Sequence, residues 1–189
     1  VGHLTINEII RISNLYVPDI FKPCPWKYID SQGRTLNHGT AVLETEELCS
    51  AYMSAYGPMH YHKLMRALDE NEFPYSDLAG GIEIYDWGCG QAIGTMAVIE
   101  KFRQHGMLGK LRKVVLEEPS DVARDRAVIH VKKALEDNNA DVIAVSKYLP
   151  SDNGDNSNSI TSISVEQPTA IHIFSNILDI EAVSLKGVS

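Results

Sequence analysis

The hydrophobic positions of the first 80 residues favour helices. Apolar residues recur at helical spacing within 1–14 and again after Thr45, whose side chain can accept hydrogen bonds from the free amides at a helix start. Between these stretches, residues 16–39 are rich in Pro, Gly and Asn and predict irregular structure. We therefore interpret residues 1–80 as a small, mainly helical cap that contains an irregular segment.

Gly57 and Pro58 interrupt the helical pattern that follows Thr45. Proline lacks an amide hydrogen and its ring clashes with the preceding turn of a helix. The pair is therefore expected to break or kink the helix, and a second helix is predicted from about Met59 to Asn71.

From Ile82 onward, short apolar strands alternate with helical segments. Strands are predicted at 82–85, 113–116, 142–145 and 170–174, and helices at about 93–105 and 121–137. This alternation is typical of right-handed β-α-β units and a parallel sheet. The fold class is therefore α/β, with the boundary between cap and core near residue 80 and a partial core over residues 81–189. His172 lies inside the apolar fourth strand, which favours a histidine satisfied within the core over a functional one.

Composition and charge narrow the functional classes. The chain has 189 residues and a formal net charge of -8, which argues against this segment being the main nucleic-acid-binding surface. No apolar run approaches the roughly 18 residues that span a bilayer, and no signal-peptide pattern is present, so a cytoplasmic location is expected. The three cysteines are far apart in sequence and suggest neither a disulfide framework nor a zinc site. Because the chain begins with Val1 and ends at Ser189 without a helix stop or a completed strand, we interpret it as part of a longer protein.

The stretch from Asp86 to Gly90 is the strongest candidate for chemistry. It follows the first predicted strand and precedes a helix, and its glycines allow a tight turn that a ligand can approach closely. The free amides of the following helix point towards that ligand. Cys89 in this turn could serve as a nucleophile, but no histidine can be placed beside it from the sequence, so a small turn residue is the preferred interpretation.

This arrangement resembles motif I of the class I S-adenosylmethionine (SAM) dependent methyltransferases, in which an acid-x-G-x-G turn follows a hydrophobic strand. The resemblance covers about residues 82–179 and implies a Rossmann-like parallel sheet, incomplete in this chain. It also implies that Asp86 lies near the methionine part of SAM and that the turn of Gly88, Cys89 and Gly90 packs against it. Ala92 stands where the family has its third glycine.

The end of the second strand resembles the acid-x-Ser pattern of the same family. Glu118 would then accept hydrogen bonds from the ribose hydroxyls of SAM, and Glu117 is the alternative ribose ligand. A helix-start acid that interacts with the helix dipole is the structural interpretation of Glu118.

Two polar residues after the fourth strand resemble the motif IV region, which faces the methyl donor and the substrate. Ser175 and Asn176 are therefore candidate cofactor-binding residues, although helix capping explains them equally well. The acid that usually follows the third strand for adenine recognition is absent, and Tyr148 there could stack on a base or pack in the core. The sequence assigns no catalytic residue. His60 and His62 would point about 200° apart on a helix, so no metal site is expected.

Three functions are compatible with the sequence. The first is a SAM-dependent methyltransferase with an unknown methyl acceptor, of which this fragment alone would be inactive because the family's sheet has further strands. The second is a catalytically inactive, methyltransferase-like binding or regulatory module of a multidomain protein. The third is a nicotinamide-dependent oxidoreductase, because dinucleotides use similar glycine turns. The apolar fourth strand would leave an exposed sheet edge, which predicts a homodimer or larger assembly.

Overall fold

A computed structural model describes residues 42–70, 73–75, 78, 80–136, 138–146 and 168–175. The predictions for 1–14, 16–39, Tyr148 and Asn176 lie outside these residues. In chain order the elements are α1 Glu46–Glu70, β1 Ile82–Trp87, α2 Ile93–Gln104, a short 3-10 helix Leu108–Lys110, β2 Leu111–Glu117, α3 Asp121–Leu135, β3 Asp141–Val145 and β4 Thr169–Ile173. The four predicted strands and the two helices between the first three of them are confirmed.

The four strands form one parallel sheet in the order β3-β2-β1-β4. The predicted α/β class and parallel sheet are confirmed, and β4 lies beside β1. The chain adds β2 and β3 on one side of β1 and then returns to add β4 on the other side. The strand order therefore reverses beside β1, and such a switch point opens a crevice at the carboxyl ends of the two strands.

The buried face of β1 joins the sheet to all three helices. Alternate residues of this strand are buried, among them Ile82, Ile84 and Asp86. Met53 of α1 belongs to the same apolar cluster as Ile84 and Ile93, the first residue of α2. Helix α1 packs against both α2 and α3, so this helix of the predicted cap and the sheet share one core.

The predicted break at Gly57 and Pro58 is wrong, and so is the separate second helix, because α1 continues through both residues to Glu70. Proline in a helix interior removes one backbone hydrogen bond at a cost of about 3 kcal/mol. Here both residues are buried, and a Cβ added to Gly57 would lie 3.8 Å from Cδ1 of Ile93 in α2. Close packing between α1 and α2 therefore overrides the local preference for a break.

The fourth strand pairs with β1 along one side, and within the described part of the chain no strand pairs with its other side. Association through this edge stays a prediction. Among the described residues, no helix combines the length and apolar character needed to cross a membrane.

Candidate functional site

A tight turn connects β1 to α2 at the switch point of the sheet. Gly88, Gly90 and Ala92 have positive φ angles of 64°, 53° and 63°. Glycine adopts this conformation readily, whereas it costs an alanine about 1 kcal/mol. The fully buried Ala92 thus keeps the turn shape that glycine would favour at the same place.

At Gly94, in the first turn of α2, the helix approaches the sheet closely. A Cβ added there would lie 2.9 Å from Cγ2 of Ile173, 3.4 Å from Cβ of Ser175 and 3.5 Å from Oδ2 of Asp86. Gly94 therefore lets the start of α2 rest on the ends of β1 and β4. The start of α2, Asp86 and Ser175 lie close together for this reason.

Asp86 lies beneath the turn and is 1 % exposed. Its Oδ2 accepts hydrogen bonds from the hydroxyl of Thr95 at 2.7 Å and from the amide of Thr95 at 3.2 Å. Its Oδ1 is buried and has no hydrogen-bond partner among the described residues. A buried carboxylate oxygen without a partner is costly, so Oδ1 marks a place where a donor from a ligand would be stabilising.

The environment of Asp86 disfavours its negative charge. The pKa of this carboxyl is raised from 3.8 to about 7: burial is the largest cause and the nearby Glu118 adds to it, whereas the two hydrogen bonds from Thr95 act in the opposite direction. Near neutral pH the group is therefore poised between its charged and neutral forms. A cation placed at Oδ1 would favour the charged form.

Glu118 holds the turn from the neighbouring strand. Its Oε2 accepts a hydrogen bond of 2.9 Å from the amide of Gly90, and its Oε1 accepts one of 2.9 Å from the amide of Ser120. Burial raises the pKa of Glu118, and the two amides and the charge of Arg124 lower it. Each carboxylate oxygen has two lone-pair directions, so Glu118 can still accept a further donor.

Cys89, between the two glycines of the turn, is hydrogen-bonded to the end of β2. The amide of Cys89 donates a hydrogen bond of 2.9 Å to the carbonyl oxygen of Glu117, which is half-buried at the end of the strand. Burial raises the pKa of the Cys89 thiol well above 9.0, and Asp86 and Glu118 raise it further. The thiol is therefore protonated at neutral pH and is a poor nucleophile, which agrees with its interpretation as a turn residue.

Ser175 lies next to the turn, as its contact distance to a Cβ on Gly94 indicates, and it is half-buried. The structure therefore brings together Asp86, Cys89, Gly90, Glu118 and Ser175, and Gly88 lies in the same turn.

The prediction that His172 is a core histidine is wrong, because this side chain is exposed. His172 pairs with Tyr85 in the register of β1 and β4, and the two rings stack with centroids 5.1 Å apart. The indole Nε1 of Trp87 donates a hydrogen bond of 3.0 Å to Nδ1 of His172. The alternation of the strand places these side chains on the face opposite to Ile84 and Asp86.

Gln91, which the sequence did not single out, connects the turn to α1 and α3 by hydrogen bonds. Its side-chain Nε2 donates a hydrogen bond of 2.8 Å to the carbonyl oxygen of Cys49 in α1. Its own carbonyl oxygen lies 2.9 Å from Nδ1 of the buried His130 in α3. Burial lowers the pKa of His130 from 6.5 to about 4, so the ring is neutral and Nδ1 carries the proton that it donates.

Thr95 is the second residue that sequence reasoning missed. Its place in the first turn of the helix, nine residues after an acid at a strand end, was the only available signal. The pairing of Asp86 with Thr95 becomes evident only when the helix packs against the strand.

Within the described residues, no group of three His, Cys, Asp or Glu side chains is arranged to hold a metal ion. His60 is buried and lies 3.3 Å through Nδ1 from the hydroxyl of Tyr52. No model of a known protein family matches the chain. A comparison with curated proteins also finds no match.

Proposed function

We propose that the chain binds S-adenosylmethionine at the turn between β1 and α2, as the cofactor-binding part of a SAM-dependent methyltransferase. The observation that carries this proposal is the pair of buried carboxylates at the turn. One oxygen of Asp86 has no hydrogen-bond partner in the described part of the chain, and Glu118 accepts a hydrogen bond from the amide of Gly90. The resemblance of the sequence to motif I indicates SAM as the ligand that these two carboxylates would bind.

The charges at the turn favour a ligand with a cationic group. A dinucleotide places its pyrophosphate on free amides at the helix start. Here the amide of Gly90 is paired with Glu118 and that of Thr95 with Asp86. A pyrophosphate would meet two acidic groups there, whereas the ammonium and sulfonium groups of SAM would be attracted. This argues against the nicotinamide-dependent oxidoreductase.

Each residue of the site is expected to contact a different part of SAM. Asp86 would hold the methionine amine through Oδ1, for which the closed turn must shift because this oxygen is screened from solvent. Glu118 would accept the ribose hydroxyls at its remaining lone-pair directions, with Glu117 as the alternative. Ser175 and Asn176 would face the methyl donor.

When bound, SAM supplies an electrophilic methyl group, and the chain would contribute mainly by orienting it towards a nucleophilic acceptor. The methyl acceptor is not identified by these residues. The fragment alone is expected to be inactive, and a catalytically inactive module with the same site is the alternative function.

Isothermal titration calorimetry of the 189-residue chain with SAM, S-adenosylhomocysteine and NADH tests the proposal. We expect binding of the first two ligands and none of NADH. Asp86→Asn should weaken SAM binding about tenfold or more, which is the scale of a hydrogen bond to a charged group. The exposed Asp125→Asn is the matched control and should bind as the wild type does.

Three results would decide against parts of this proposal. Folded wild-type protein that gives no signal at millimolar SAM would contradict cofactor binding. Binding of NADH without SAM would favour the oxidoreductase. Binding of SAM with no methyl transfer by a longer protein that contains this chain would favour the inactive module.

A further inference from the structure

Thr95 has two separate contacts with Asp86. Its backbone amide is one of the free donors in the first turn of α2, and Ala92, at the cap position, offers no side-chain acceptor for it. Asp86 therefore caps the helix from the neighbouring strand through Oδ2. The capping role explains the amide contact and does not require a hydroxyl at position 95.

The hydroxyl contact is the shorter of the two. Oγ1 of Thr95 lies 2.7 Å from Oδ2, and both side chains are almost completely buried. Because the hydroxyl and the amide of Thr95 both donate to the same oxygen, Oδ2 is fixed, and Oδ1 remains as the acceptor that no described residue pairs with. An aliphatic side chain of the same shape would fill the same space without donating a hydrogen bond to Oδ2.

We infer that Thr95 is a positioning residue of the cofactor site, whose hydroxyl orients the Asp86 carboxylate and favours its charged form, so that Oδ1 can accept a cationic amine. This inference rests on the proposed function and deepens it, because it names what prepares Asp86 for the ligand. Thr95 itself need not touch the ligand.

The other groups described around Asp86 do not stabilise its negative charge. Glu118, at the end of β2, and the thiol of Cys89, in the turn, are the titratable groups whose electrostatic interactions link them to Asp86. Gly94 of α2 and Ile173 and Ser175 from the β4 side bring no charge. No cation of the described residues therefore offsets the burial of Asp86, and the hydrogen bonds from Thr95 are the main influence that lowers its pKa.

The matched pair Thr95→Val and Thr95→Ser tests this role. Valine keeps the shape and removes the donor, whereas serine keeps the donor. The titration of the Asp86 carboxyl is followed by carbon NMR in the ligand-free protein, and SAM affinity is measured by calorimetry between pH 6 and 9. Thr95→Ala serves as a second donor-free variant if the valine variant does not fold.

We expect the pKa of Asp86 to rise by about one unit in Thr95→Val and to return towards the wild-type value in Thr95→Ser. SAM affinity at pH 7 should fall about fivefold in the valine variant, because the charged fraction of Asp86 falls by that factor, with a smaller difference at pH 9, where the carboxyl is charged in both proteins. A purely structural residue would lower the affinity equally at every pH.

An unchanged titration of Asp86 in both donor-free variants would overturn the inference. An equal loss of SAM affinity across the pH range would also overturn it. Failure of the proposed function is a different result, namely no SAM binding by the folded wild type, and the titration in the ligand-free protein still decides whether Thr95 controls the charge of Asp86.

Discussion

The backbone amide of Gly90 donates a hydrogen bond of 2.9 Å to Oε2 of Glu118, so the end of β2 holds the turn that follows β1. The other oxygen of the same carboxylate accepts the amide of Ser120, which caps α3. One side chain thus links the start of α3 to the glycine turn. A change at Glu118 should therefore affect stability as well as ligand binding.

Glu118→Ala is expected to lower the free energy of unfolding by about 2–4 kcal/mol, because two amides lose their acceptor. Urea unfolding at neutral pH measures this loss. Asp125→Ala, at an exposed acid on α3, is the control and should change stability by no more than about 0.5 kcal/mol. Equal stability of the two variants would mean that the contacts of Glu118 contribute little.

Asp86 should make the ligand-free protein less stable as the pH rises. Its pKa is raised from 3.8 to about 7 in the folded state, so its contribution is full below pH 3.8 and is lost as the pH approaches 7. Between pH 5 and 8 the wild type should therefore lose about 3 kcal/mol relative to Asp86→Asn. Urea unfolding of both proteins at the two pH values measures the difference. An equal change in the free energy of unfolding of the two proteins would contradict a raised pKa of Asp86.

His130 should have the opposite effect on the acid side. Its pKa is lowered from 6.5 to about 4 in the folded state, so its contribution to stability is full above pH 6.5 and is lost as the pH falls towards 4. The wild type should lose about 3 kcal/mol more than His130→Asn between pH 7 and 4. Asparagine keeps a donor near the position of Nδ1.

The control for this pH dependence is His105→Asn, at an exposed histidine. It should follow the wild-type curve in the same urea experiments. If His130→Asn and the wild type lose equal stability between pH 7 and 4, the protonation of His130 does not cause the loss of stability in acid.

Gly94→Ala is expected to destabilise the fold by about 1–3 kcal/mol, because its Cβ would lie 2.9 Å from Ile173. The higher helix propensity of alanine, worth about 1 kcal/mol, would not offset this overlap. Gly109→Ala is the matched control, since no atom of the described residues lies within 4 Å of its added Cβ. Thermal unfolding compares the two, and a melting temperature for Gly94→Ala at or above that of the wild type would show that α2 can move away.

The sequence by itself determined the strands, the helices between them and the position of the turn. Glycine at 88 and 90 acts through local backbone chemistry, so the turn is readable from neighbouring residues. The parallel order followed from the alternation of strands and helices. From that order, Asp86 and Glu118 could be expected on neighbouring strand ends.

Only the tertiary structure decided which groups those carboxylates contact. It paired Asp86 with Thr95 and Glu118 with Gly90, and it left Oδ1 of Asp86 without a partner among the residues that the structure describes. Packing also carried α1 through Pro58 against its local preference. These outcomes depend on distances between residues that are far apart in the chain, and on burial that changes the free energy of a charge, neither of which local sequence chemistry specifies.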